Sequence, residues 1–286
     1  MGQPLEGRGE AEAGDGRPLA VTRFRAKAQP WATMLVAGAM GVRQDFYAPV
    51  ARFFAQSGVH AMTFDYRGVG ASRRGPLSKE TATVTDWADQ DMNAMLGEAW
   101  RAAPDLPLIV LGHSLGGQIV GLLPDNDRVR AVVAVVAGSG WYRHNERMKL
   151  GVRFLWHVAV PALTPVFGYF PGKALRMVGD MPRGVAYQWR RWCMHRDYLL
   201  SEGEAARDAY RRFAAPMLSY SFEDDPMITR AAVDDLVRHL ASSRVTRRHV
   251  APGEMGARRI GHFGYFAEAS RDTLWRESLA WLRETV

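Results

Sequence analysis

The 286-residue chain holds a single cysteine, Cys193, which excludes an intramolecular disulfide framework and reads as a small packing residue. It has no run of five basic residues, no zinc-finger spacing and no RNP-like motif, so its net charge of +7 is not the footprint of a nucleic-acid binder. The basic residues are nearly all arginine and are interleaved with acids. That pattern suits a surface that gathers anionic substrates or approaches anionic lipid. No stretch reaches 18 uncharged apolar residues: the longest, 150 to 170, is interrupted by Arg153, His157, Pro161 and Pro165. It is expected as a packed or interfacial element, not a span, and weak surface association with a membrane is left open. The N-terminal segment lacks the apolar core of a signal peptide and has Glu6 where myristoylation asks for Ser or Thr. The expected location is therefore cytoplasmic, and residues 1 to about 16 read as a disordered tail. The histidines show no paired ligand spacing, so neither a metal nor an organic cofactor is implied. Oligomeric state is not legible.

What is present is an ordinary globular composition, 47% hydrophobic and 23% charged, with apolar mass for a sizeable core. From Pro18 strand-like and helix-like segments alternate. Val/Ala/Ile/Leu runs such as L-P-L-I-V-L (106 to 111) and V-V-A-V-V-A (132 to 137) predict a mostly parallel sheet buried on both faces by helices. The rhythm breaks at residue 141, where tryptophan, arginine and proline replace it, and resumes near 214. The chain thus divides into an α/β core over 17–140 and 214–286 and a helical insertion over 141–213.

One stretch carries chemistry. In L-G-H-S-L-G-G, residues 111 to 117, Ser114 stands in a G-x-S-x-G turn between an apolar strand and a helix. Gly112 and Gly116 remove the Cβ atoms that would crowd such a turn, which lifts the hydroxyl to the carboxyl end of the sheet. A serine hydroxyl needs a base. His262, in R-R-I-G-H-F-G-Y-F after the last expected strand, is the candidate; His113 is expected to point away from the site. The base in turn needs a carboxylate, supplied by S-F-E-D-D-P-M at the end of the preceding strand. The order Ser, Asp, His, each at a strand end, makes coincidence far less frequent.

These motifs resemble an α/β-hydrolase over roughly residues 18 to 286, and more narrowly a bacterial group of predicted α/β-hydrolases. G-H-S-L-G-G matches the nucleophile elbow, D-Y-R-G-V-G-A-S (65 to 72) the turn after the fourth strand, E-D-D-P the acid loop and I-G-H-F-G the histidine loop. The resemblance implies a sheet flanked by helices, a helical cap inserted after strand six, and main-chain N–H groups of Met40 and Leu115 as the oxyanion hole. It leaves both Asp224 and Asp225 as the acid, with loop spacing favouring Asp225. Trp141, Tyr142 and Phe263 flank the expected mouth as pocket candidates. The implied activity is a serine hydrolase, with triad Ser114, Asp225 and His262, cleaving a small-molecule ester, thioester or related acyl substrate. An acyltransferase using the same triad, a peptidase acting on short substrates, and a non-catalytic ligand-binding protein on this fold are the alternatives. The aromatic, arginine-rich insertion suggests an apolar pocket with a cationic rim.

Overall fold

The structure, a computed structural model, describes residues 5–27, 29–145, 148–175 and 179–286. The chain runs through β1 (Leu5–Glu12), β2 (Pro18–Arg25), β3 (Ala32–Ala37), α1 (Ala48–Gln56), β4 (Val59–Phe64), α2 (Val84–Asp86), α3 (Asn93–Ala102), β5 (Leu108–His113), α4 (Leu115–Gln118) and β6 (Val129–Val135). There follow α5 (Lys149–Phe154), α6 (Val160–Phe167), β7 (Tyr169–Phe170), β8 (Met181–Pro182), α7 (Arg183–Met194) and α8 (Glu204–Arg212). The chain then returns to the sheet with β9 (Met217–Phe222), α9 (Arg230–Val237), β10 (Val245–Val250) and α10 (Arg276–Thr285).

Eight strands form one sheet in the order β1-β2-β4-β3-β5-β6-β9-β10. Only β1 and β2 run antiparallel to their neighbours. The parallel centre follows from the apolar runs: β3 and β5 are buried along their whole length, and β6 exposes only Arg130. Alternation splits each strand between two cores. In β3, Leu35 and Ala37 pack with α3 on one side, while Met34 and Val36 pack with α1 and α10 on the other.

The segment after β4 shows how a helix start is specified. Thr83 accepts a hydrogen bond from Asp86 N at 3.2 Å, and the Asp86 carboxylate accepts from Thr83 N at 2.7 Å. This reciprocal cap opens the helical run that ends at Ala102.

Two expectations are corrected. The segment read as a disordered tail carries β1, paired antiparallel with β2 from Leu5↔Arg25 to Glu12↔Pro18; residues 1–4 lie outside the described residues. Its polar composition misled because an edge strand gains its order from the main-chain ladder and needs no apolar face. Ion pairs add to that order: Arg8 with Asp45 at 3.2 Å, Glu6 with Arg52 at 2.8 Å, and Glu10 with Arg74. The insertion, read as helical, also contains the two-residue antiparallel pair β7–β8.

Candidate active site

Ser114 lies between β5 and α4 at φ 48° and ψ −111°, a conformation that L residues rarely adopt. The surroundings enforce it. Ser114 N donates to Val135 O at 2.9 Å at the end of β6, and Gly117 N and Gln118 N both return to Ser114 O at 3.0 Å. A Cβ on Gly112 would come within 2.5 Å of the Gly117 backbone, and one on Gly116 would collide with the Ala37 carbonyl. Both positions therefore need glycine for the turn to close.

Met40 sits in the turn that follows β3 and Leu115 is the first residue of α4. Among the described residues neither main-chain N–H has a hydrogen-bond partner. Both residues line the same cavity as Ser114. Two unengaged donors beside a serine hydroxyl form an arrangement able to hold a developing oxyanion.

His262 follows Gly261, whose φ is +60°. Its Nδ1 lies 2.8 Å from Asp225 Oδ2, and both side chains are buried. The second Asp225 oxygen accepts from Met227 N at 2.7 Å and Ile228 N at 3.1 Å, which fixes the carboxylate plane. Asp224 faces the main chain and accepts from Ile260 N and Gly261 N, each at 2.9 Å. The two adjacent acids thus divide the work: one meets the imidazole, the other holds the loop that carries it. Ser114 and His262 meet as walls of the same cavity, with no hydrogen bond between them among the described residues.

A second histidine stabilises the floor. His113 is fully buried, with Nε2 3.0 Å from His262 O and Nδ1 2.9 Å from Tyr47 Oη. A carbonyl can only accept, so Nε2 carries the proton and Nδ1 accepts from the Tyr47 hydroxyl. That hydroxyl oxygen in turn accepts from Ala39 N at 2.8 Å. One unbroken chain therefore runs from the turn before Met40 to the backbone of His262. Burial first, and the nearby His262 second, hold His113 well below the ordinary histidine pKa, so it stays neutral. The expectation that it points away from the site holds geometrically; sequence gave no sign of its link to Tyr47, which is 66 residues away.

The cavity, of about 210 Å³, is walled on the insertion side by Trp141, Tyr142, Leu155, Trp156, Trp189 and Tyr198. Trp141 and Tyr142, named as pocket candidates, line this cavity. Phe263 does not: it is 45% exposed and packs edge-on against Phe46, His113 and His262 outside the cavity. Next to a histidine whose own ring faces inward, its side chain takes the outer side of the loop. Sequence reading missed Trp156, Trp189 and Tyr198 as wall residues; the concentration of tryptophan in the insertion was the available signal. Cys193 also reaches the wall, and burial pushes its thiol well above the ordinary value, consistent with an inert packing role. Arg143 lies over the rings of Trp141 (5.7 Å) and Tyr142 (5.8 Å), and Arg196 over Trp141 (5.9 Å), a cationic fringe on the aromatic wall. Among the described residues no group of three or more His, Cys, Asp or Glu side chains is placed to hold a metal ion.

A family model described as serine aminopeptidase, S33, matches residues 28–186. No curated protein sequence matches the chain. Among solved structures, a soluble variant of monoglyceride lipase from Saccharomyces cerevisiae is similar at a TM-score of 0.69 and 14% identity, covering 100% of this chain and 96% of that one. An esterase from Pyrococcus furiosus is similar at a TM-score of 0.66 and 13% identity, covering 99% and 92%. A thermostable carboxyl esterase from Bacillus coagulans is similar at 0.64 and 12%, covering 98% and 99%. At such identities these likenesses speak for a shared fold.

Proposed function

The chain belongs to the hydrolase family described as serine aminopeptidase, S33, and from that membership we propose a serine-dependent hydrolase that cleaves a carboxylic ester, thioester or related acyl substrate. The observation that carries the reading is the strained Ser114 elbow facing the same cavity as a histidine already engaged by a buried carboxylate. In this reading Ser114 Oγ attacks the acyl carbonyl while His262 Nε2 takes its proton. Asp225 holds the tautomer and stabilises the imidazolium, and the N–H groups of Met40 and Leu115 receive the oxyanion. His262 then protonates the leaving group and activates the water that releases the acyl-enzyme. The Ser–His hydrogen bond that this requires tightens on substrate binding, as is common for sites without ligand. Residues 141–213 serve as a cap over a core formed by 17–140 and 214–286.

Ester cleavage is favoured over aminopeptidase chemistry by the lining. An aminopeptidase must hold a substrate α-ammonium, a task for carboxylates, and among the described residues no Asp or Glu lines the cavity. The walls offer aromatic and aliphatic surface that fits an acyl chain.

The test is covalent labelling with a fluorophosphonate, followed by peptide mass spectrometry. The label is expected on Ser114, absent in Ser114→Ala and strongly reduced in His262→Ala. Turnover of a short acyl ester should fall by about 10³-fold or more in either variant. A folded protein that takes no label, or takes it elsewhere, would overturn the reading.

A further inference from the structure

Of the ten large apolar side chains that are exposed among the described residues, six lie between Met148 and Phe167. Five of these, Leu150, Phe154, Val158, Val166 and Phe167, belong to a single continuous helix, Lys149–Phe167, formed by α5, a wider π turn over Leu155–Ala159, and α6, and Met148 directly precedes it. Leu150, Phe154, Val158 and Val166 recur in steps of four or eight along it, with Leu150 82% and Val166 77% exposed. In a regular helix a four-residue step drifts by about 40°. The π turn takes more residues per turn and swings the row back, so these side chains share one outer face. The opposite side of the same helix supplies Val152, Leu155 and Trp156 to the cavity wall.

The charge along this segment has one sign. Between Glu146 and Asp180 the sequence has no acidic residue and carries Arg147, Lys149, Arg153, Lys173 and Arg176. Lys149 and Arg153 lie exposed on the helix itself and, among the described residues, have no carboxylate within 4.0 Å. Most other arginines of the chain pair with acids, as Arg211 does with Glu204 and Asp208.

We propose that the outer face of the helix Lys149–Phe167 docks on an anionic lipid surface, with its apolar row at the acyl boundary and Lys149 and Arg153 among the headgroups. An amphipathic helix with aromatic and aliphatic residues on one side and cations beside them binds such an interface in this way. A spanning orientation does not suit it, because its inner face is committed to the cavity and the rest of the fold. A second copy of the chain is also a poor partner: a two-fold contact through this face would set Lys149 and Arg153 against cations of the same kind, with no acid on the helix Lys149–Phe167 to offset them. Docking rests on exposure and charge alone. That the surface delivers an acyl substrate to the cavity behind the helix rests in addition on the hydrolase reading.

The experiment is sedimentation of the full chain with phosphatidylcholine vesicles, with and without about a third phosphatidylglycerol, at low and high salt. Binding is expected only to the anionic vesicles, weakening as salt rises. The double variant Leu150→Glu/Phe154→Glu, whose side chains lie outside the cavity, should lose binding by about tenfold or more while keeping its unfolding midpoint and its turnover of a water-soluble ester. Ser114→Ala should bind as the unchanged protein does, so a failed hydrolase reading leaves this result intact. Absence of vesicle binding, binding that the double variant retains, or a concentration-dependent dimer that the variant dissolves would each overturn the proposal.

Discussion

At the scale of single residues, the site depends on two histidines with opposite demands. In the proposed reaction His262 exchanges a proton with Ser114, whereas His113 stays neutral, because its Nδ1 accepts from Tyr47 and a second proton would abolish that bond. Burial holds His113 well below the ordinary value of 6.5. Below 6.5 the unfolded chain takes up a proton that the folded site refuses, so the unfolded state binds more protons there. The contribution of His113 is therefore complete above 6.5 and is lost as pH falls below that value through the folded pKa. Asp91 works in the opposite direction: burial raises it to about 6, so the folded state gains as pH falls through that point. A comparison within one protein would mix the two effects. The expected result is that the fall in urea midpoint from pH 7.5 to 5.5 is smaller in His113→Gln than in the unchanged chain. An equal fall in both would show that His113 does not sense the acid. None of this was legible in the sequence. Motif and spacing gave the expectation of an elbow serine, a histidine loop and Asp225 ahead of Asp224, and in the structure it is Asp225 that meets the His262 imidazole. The Tyr47–His113 bridge joins positions that only the folded sheet brings together.

At the scale of elements, buried charge decides which junctions matter. Arg67, in the turn after β4, reaches Asp91 at 2.7 Å and Asp15 at 2.8 Å, while Asp91 also accepts from Arg67 N at 2.8 Å. The guanidinium thus joins the β4 turn, the helical run that leads into α3, and the loop between β1 and β2. Its two partners are not equivalent. Asp91 is fully buried, so Arg67→Ala strands its carboxylate and is expected to cost about 3–5 kcal/mol. Asp15 retains substantial exposure, and Asp15→Ala is expected to cost about 1 kcal/mol or less. Urea unfolding of the two variants measures the ranking directly; equal losses would mean that burial does not set the value of the pair. The turn motif D-Y-R-G-V-G-A-S was recognisable in sequence, but its partners were not, because Asp15 belonged to a segment that composition assigned to disorder. Long apolar strands were legible because their signal is local. An edge strand such as β1 has no such signal, since its partner β2 supplies the order.

At the scale of the whole molecule, the charge is spread over the surface and the aromatic cavity wall carries its own cationic fringe. The chain has 37 basic against 30 acidic side chains, and Arg143 and Arg196 stand over the Trp141 and Tyr142 walls. A cleft edged by one sign of charge raises the local concentration of oppositely charged substrate, an effect that salt screens over a length of about 10 Å at 0.1 M. Neutral substrates feel no such steering. For an ester that bears a carboxylate or phosphate remote from the scissile bond, kcat/KM is therefore expected to fall several-fold between about 0.02 and 0.5 M salt, whereas a neutral ester of equal chain length should change little. The double variant Arg143→Gln/Arg196→Gln should lower kcat/KM for the anionic ester at low salt and flatten its salt dependence. It should leave the neutral ester near its original rate, because neither arginine touches the Ser114–His262–Asp225 group. Equal salt dependence for the two esters would assign the surplus charge to the lipid-facing helix and the general surface, and leave the mouth of the cavity without a preference for anions.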